Sequence, residues 1–175
     1  NPNKHTRRDT GGLMNKLSDL ARTVSVLLKQ QNHTIAVAES STAGLVSACL
    51  LAIPGASAYF IGGSIIYTRV AQKALLRVPD EIMTDVRAST ENYALLNARA
   101  VRQSHNTTWG LAETGATGPT GNRYGDLAGH VCIGIAGPVE RSITIETGSS
   151  DRESNMWAFT RAALDLLEDC IGGTT

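Results

Sequence analysis

The stretch Thr34–Ala52, TIAVAESSTAGLVSACLLA, decides the fold. Thr34 to Ala38 are β-branched or small, carry no charge and include no Pro, which predicts a short buried strand. From Ala43 to Ala52 the apolar residues Leu45, Val46, Cys49 and Leu50 share one helical face, which predicts a helix. Between them Glu39, Ser40, Ser41 and Thr42 put a carboxylate and three hydroxyls into one turn. Ser41 or Thr42 suits the N-cap, and the free N–H groups of a helix N-terminus attract anions. A turn at the carboxyl end of a parallel strand is also where open α/β sheets seat their ligands. A capped helix after a core strand accounts for one hydroxyl, and this turn has more polar groups than one cap uses.

On the N-terminal side, Leu17, Leu20, Ala21, Val24, Leu27 and Leu28 recur at three- and four-residue spacing, predicting an amphipathic helix over Asn15–Gln31. His33, at its end, is expected in solvent. The first thirteen residues are polar and aperiodic and read as a flexible or added leader, with Met14 as the natural start. On the C-terminal side, Ser64–Thr68 reads as a second strand, with glycines before it for close backbone approach. Val70–Leu76 reads as a helix stopped by Pro79. Ser89-Thr90-Glu91 is a capping signal for a helix to about Ser104, burying Ala94, Leu95, Ala98 and Val101. Trp109–Thr114 is a third strand, and Gly115–Gly121 a glycine-rich loop. His130–Ala136 and Arg141–Thr147 form a hairpin through Gly137-Pro138, and Met156–Ile171 is a closing helix. Alternating helices and strands followed by a late hairpin predict a three-layer α/β/α sandwich. Its sheet is mixed and mostly parallel, in one domain over residues 14–171.

Composition narrows the function classes. Sixteen Lys+Arg balance 16 Asp+Glu among 175 residues, so there is no basic nucleic-acid surface. No apolar run reaches the length of a membrane span. Cys49, Cys132 and Cys170 are far apart and have no metal spacing, which points to a reducing cytoplasm and to no metal or cofactor.

Three polar clusters follow strand runs: Glu39–Thr42, Tyr67-Thr68-Arg69 and the Gly115–Gly121 loop, which includes Thr117 and Gly118. If the three strands are parallel neighbours, the clusters meet at one sheet edge and share one concave site. GATGPTG is neither GxGxxG nor a Walker A sequence; a surface loop explains it as well as a phosphate cradle does. Arg123 and Tyr124 extend this loop and are placed to close over a bound anion. His130 is expected to be a satisfied, partly buried side chain, and Trp109 and Trp157 core or interface anchors.

The blocks AESSTAG, PGASAYFIGGSIIYT, TGATGPTG and SSDRE, in this order, resemble the CinA C-terminal-domain family over about Leu17 to Leu167. That family includes amidohydrolases that convert nicotinamide mononucleotide to nicotinate mononucleotide and ammonia. The resemblance implies the α/β/α fold, often a homo-oligomer such as a dimer, Ser40 as nucleophile and Tyr67 beside it. It also gives Arg152, in the position of the family's GDR arginine, a substrate or subunit contact. This chain departs from the family at the lysine that assists the serine, five residues after the tyrosine. Gln72 stands there, and Lys73 follows one residue later, rotated by about 100° on a helix. Arg69 replaces an asparagine, Glu113 replaces a commonly apolar residue, and Ala43 the first glycine of the pair that ends in Gly44.

Two readings follow. The first is an amidohydrolase acting on a nucleotide or other small amide, with Ser40 attacking. Glu39, Glu113, Tyr67 or Lys73 would be base or orienter, and N–H groups near Thr42 and the Gly115–Gly121 loop would form the oxyanion or phosphate site. Ser41, Thr42, Arg69, Gln72, Glu113, Gly115, Thr117, Gly118, Gly121 and Arg152 would contact the substrate. The second is a non-hydrolytic nucleotide or small-molecule binding protein that keeps the pocket and has lost the base. The resemblance places the first ahead.

Overall fold

The computed structural model describes residues 16–173. The proposed leader and Met14 lie outside the described residues. In chain order the elements are α1 (Leu17–Gln31), β1 (Ile35–Glu39), α2 (Leu45–Leu51), β2 (Phe60–Ile65), α3 (Arg69–Leu76), α4 (Glu91–His105), β3 (Trp109–Ala116), β4 (His130–Ala136), β5 (Arg141–Glu146) and α5 (Arg152–Gly172). The sheet runs β2-β1-β3-β4-β5. β2, β1 and β3 are parallel, and the hairpin adds β4 and β5 antiparallel. The three-layer mixed sandwich expected from the sequence is the fold observed.

Burial follows from that order. β1, β3 and β4 are covered on both faces and buried almost throughout, whereas the edge strands β2 and β5 alternate. Helices α1, α2 and α5 pack on one face, where Val24, Leu28, Val46, Leu50, Phe159 and Leu167 meet Ile35, Val37, Leu111 and Ile133. On the other face α3 and α4 close over Ala36, Ala38 and Ala112 with Leu76, Ala98 and Val101. Small residues on β1 and β3 are what let α4 lie close. Gly134 on β4 does the same, since a Cβ there would stand 2.7 Å from the backbone of Ala94 and Leu95.

Several boundaries differ from the sequence reading. β2 begins at Phe60, so Gly62 and Gly63 lie inside the strand, along β1. An added Cβ on Gly63 would run into the carbonyl of Val37, which is the close approach its glycine permits. α5 begins four residues before Met156, because Asp151 caps it by accepting from Ser154 N–H at 2.8 Å. Thr90 caps α4 as its motif predicts, accepting from Tyr93 N–H. His33 is not free in solvent: its Nδ1 accepts the indole N–H of buried Trp109 at 3.0 Å.

Candidate functional site

The parallel register puts Ala38 beside Ala112, so Glu39 and Glu113 are the next residues along neighbouring strands. Side chains alternate along a strand. Val37 and Leu111 face α2 and α5, and Glu39 and Glu113 therefore face the same way, beneath the Ser40–Gly44 turn. Ser40 and Thr114, one residue further on, open onto the opposite side, toward α4.

Both carboxylates are buried and fully engaged. Glu39 accepts from the N–H groups of Gly44, Val46 and Ser47 at 3.1, 2.9 and 2.9 Å, and from the hydroxyls of Thr42 and Ser47. It does the capping that the sequence assigned to Ser41 or Thr42. α2 starts only at Leu45, after Gly44 with φ 103°, and its N-cap makes no side-chain bond. Glu113 accepts from the N–H groups of Ser40 and Thr42, at 2.5 and 3.0 Å, and from the Ser41 hydroxyl. Burial pushes its carboxyl up, against the pull of those donors. The N–H of Thr42, expected to serve an oxyanion, is thus filled from within the chain. Neither carboxylate is on the side of the Ser40 cleft.

That cleft encloses about 610 Å³. Ser40, Thr114 and Ile66 form its floor at the strand ends. Tyr67, Thr68 and Arg69 form one wall, Met83, Val86, Arg87 and Tyr93 another, and Arg123 with Tyr124 the rim. The Ser40 hydroxyl makes no hydrogen bond among the described residues, whereas its N–H is held by Glu113. Among the described residues no carboxylate lines the cleft, and three arginines do. Arg69 bonds Asp80 at 2.7 Å, and Arg87 bonds Asp126 at 2.9 Å while lying over the Tyr124 ring. Among the described residues Arg123 hydrogen-bonds Tyr124, whose ring it also lies over, and makes no ion pair. Arg152, from the first turn of α5, donates to the Gly118 carbonyl at 2.6 Å and to the Tyr67 hydroxyl at 3.4 Å.

The expected site residues therefore divide. Ser40, Tyr67 and Arg69 share the cleft, and Arg152 ties Tyr67 to the glycine-rich loop. Gly115 belongs to β3, and the loop proper starts at Thr117, whose carbonyl accepts from Asn155. Thr117, Gly118 and Gly121 stand behind the rim, and only the loop's extension, Arg123 and Tyr124, reaches the cleft. Gln72 is fully buried, accepting from Arg69 at 3.1 Å and donating to Asn97 at 2.6 Å, and does not line the cleft. Lys73 lies outside it with its amine on Asp80 at 2.7 Å. Neither occupies a base position toward Ser40. Thr114, Arg87 and Tyr93 were not singled out from the sequence. Thr114 had a visible signal, as the residue directly after Glu113 at the end of a strand. Among the described residues no cluster of His, Cys, Asp and Glu is arranged to hold a metal, and no helix is long and apolar enough to cross a membrane.

Comparison with known proteins gives a consistent result. The family model for the CinA C-terminal domain matches residues 17–171. A CinA-like protein of Gloeobacter violaceus is 39% identical over 150 residues, covering 85% of this chain and 35% of that protein. A putative competence-damage inducible protein of Moorella thermoacetica is 34% identical over 148 residues, or 85% of this chain and 36% of that one. The chain thus spans about a third of the length of these curated relatives. Among solved structures, the competence/damage inducible protein CihA from Agrobacterium tumefaciens superposes with TM-score 0.81 at 26% identity, over 89% of this chain and 95% of that one. A competence-damaged protein (CinA) superfamily protein from Klebsiella pneumoniae gives 0.84 at 21% identity, over 90% and 99%, a likeness of fold alone.

Proposed function

The chain belongs to the CinA C-terminal domain family, and from that premise we propose that it binds a small nucleotide-class anion in the Ser40 cleft without hydrolysing it. The observation that carries this reading is the cleft's chemistry. Arginines and tyrosines line it, no carboxylate does, and Arg123 at its rim has no acidic partner among the described residues. Cations and aromatic faces of this kind suit a phosphate joined to a planar ring. Hydrolysis is poorly supported for two reasons. Among the described residues no side chain stands ready to take the Ser40 proton, and a serine at its free pKa is a weak nucleophile. The N–H groups of Ser40, Thr42, Gly44 and Val46 are also committed to Glu113 and Glu39.

One observation favours the amidohydrolase reading as the second. The Ser40 hydroxyl makes no hydrogen bond among the described residues and opens into the cleft, the place a nucleophile would take. In that case Ser40 Oγ would attack the amide carbon of nicotinamide mononucleotide, ammonia would leave and water would release the acid. Without a base this is slow, since general base assistance is worth roughly 10²–10⁴-fold.

A thermal shift with nicotinamide mononucleotide, run beside an ammonia-release assay, separates the two. Binding without turnover supports the first reading; ligand at 100 times Kd would add about 2.7 kcal/mol of stability. Ammonia release that disappears in Ser40→Ala supports the second. A homo-oligomeric state and a cytoplasmic location belong to the same proposal. The former rests on the family resemblance, the latter on three buried free cysteines.

A further inference from the structure

His130, at the start of β4, lies one layer behind the cleft and touches two arms that reach it. Its Nδ1 meets Glu146 Oε1 on β5 at 2.5 Å, and its Nε2 meets the Ser89 carbonyl at 2.9 Å. Both partners are acceptors without a hydrogen to give, so both ring nitrogens must donate. We propose that His130 is a positioning residue for the Thr114 and Tyr124 sides of the Ser40 cleft, and that it acts as the doubly protonated imidazolium.

The first arm is short. The Ser89 carbonyl is held by His130 while the Ser89 N–H donates to Thr114 Oγ1 at 2.9 Å, and Thr114 is on the cleft floor. Ser89 has φ 60°, a left-handed conformation that a non-glycine residue keeps only when its surroundings fix it. The second arm runs through Asp126, whose Oδ2 is 3.8 Å from His130 Nε2. Asp126 accepts from Arg87 at 2.9 Å and from Asn122 at 2.8 Å. Asn122 Oδ1 in turn accepts the Tyr124 N–H, and Arg87 lies over the Tyr124 ring.

The charged groups around the ring balance. Glu146 on β5 and Asp126 in the loop oppose His130 and Arg87. Glu91 of α4 is turned to Ser142 and Thr144 of β5, and Cys132 beside the ring is a thiol whose ionisation burial opposes. Burial pulls the His130 proton off, but the bonds to Glu146 and Ser89 and the charge of Asp126 outweigh it and hold the group above its ordinary value. A raised histidine contributes stability that is complete below its unfolded pKa and lost as pH rises through the folded one. On deprotonation Nδ1 keeps its hydrogen for Glu146, and the bare Nε2 loses its bond to the Ser89 carbonyl and its attraction to Asp126, with the Cys132 thiol 3.6 Å away as the donor it can accept from. Both arms loosen together.

The test reads the ring and the arms separately from any ligand. Ring ¹⁵N shifts of His130 should show both nitrogens protonated at pH 7, with a midpoint above the ordinary value of about 6.5. The amides of Ser89, Thr114 and Tyr124 should move with that same midpoint. His130→Gln should abolish this transition. Glu146→Gln, whose exposed side chain leaves the fold intact, should lower the midpoint. A singly protonated ring at pH 7, or Thr114 and Tyr124 amides that ignore the midpoint, would overturn the proposal. Affinity for nicotinamide mononucleotide, which rests on the ligand reading of the cleft, should fall about 5-fold or more across the same midpoint. Absence of binding at every pH overturns that ligand reading, while the amide shifts still decide the role of His130.

Discussion

Glu39 and Glu113 meet across a single hydroxyl: Thr42 Oγ1 lies 2.6 Å from Glu39 Oε1 and 2.9 Å from Glu113 Oε1. One hydroxyl hydrogen cannot serve two carboxylates, so the arrangement closes when one of the acids carries a proton. Burial outweighs the donors around Glu113 and holds its carboxyl above the usual range, so Glu113 is the acid expected to carry the proton.

That assignment gives a pH-dependent stability. An acid whose folded pKa is raised holds its proton in the native chain after the unfolded chain has lost it. Stability therefore falls as pH rises from the unfolded value, about 4.3, through the folded one. Glu113→Gln keeps a neutral amide in the same shape, and urea denaturation at pH 5 and pH 8 should show its stability gaining on the unmodified chain at the higher pH. Glu113→Leu strands the Ser40 and Thr42 N–H groups at about 1–3 kcal/mol for each buried donor left unpaired, and should be destabilised at both. A Gln variant that loses ground at pH 8 would put the charge, not the proton, on Glu113.

Arg152 ties α5 to the Gly118 carbonyl of the glycine-rich loop and to the Tyr67 hydroxyl in the cleft wall. It lies at the surface, so Arg152→Ala should leave the midpoint of unfolding within about 0.5 kcal/mol of the original. Its nucleotide affinity should fall about tenfold, equivalent to about 1.4 kcal/mol, because a cation and the anchor of exposed Tyr67 go together. Titration calorimetry at low and high salt checks this. The gap between the two chains should narrow at high salt, as screening predicts for a surface charge.

How much of this was legible depends on where the information lies. β1, α1 and α4 could be read because their periodicity and caps are local: Thr90 Oγ1 reaches no further than the Tyr93 N–H and the Arg87 carbonyl. The cap of α2 could not, since it comes from Glu39 of the preceding strand and bypasses the nearer Ser41 and Thr42. β2 was misplaced because the glycines at 62 and 63 were read as preceding the strand, whereas they lie inside it, where they permit contact with β1. Glu113 stood out as a departure from the family pattern. Its partner was hidden until the β1–β3 register set it next to Glu39. Tyr93 gave no signal, because an aromatic residue in the first turn of a helix reads equally as core.

Gly134→Ala tests the close packing of α4 on the sheet. The added methyl would meet the backbone of Ala94 and Leu95, which cannot rotate aside as a side chain can. Overpacking of this kind costs about 1–3 kcal/mol. Because α4 also carries Tyr93 into the cleft, the variant should lose nucleotide affinity along with stability. Denaturant midpoints read the first effect and calorimetry the second, and an unchanged midpoint would show that α4 has room to retreat.

Gln72→Lys restores the residue that the family pattern places after the tyrosine, and it separates the binding and amidohydrolase readings most sharply. Gln72 is fully buried between Arg69, whose guanidinium it accepts, and Asn97, to which it donates. A lysine there keeps a donor for Asn97 but removes the acceptor for Arg69 and sets two cations side by side. Burying a charge without a counter-ion is costly, so the variant should be less stable by at least about 1–3 kcal/mol. It should also release no ammonia from nicotinamide mononucleotide, since the side chain at this position lies below the cleft and the turn donors remain with Glu113. Turnover that appears in Gln72→Lys and disappears when Ser40→Ala is added would show that only the base was missing. The amidohydrolase reading would then replace the binding one, because a lysine able to reach Ser40 means the wall formed by Arg69 moves aside when its glutamine partner is gone.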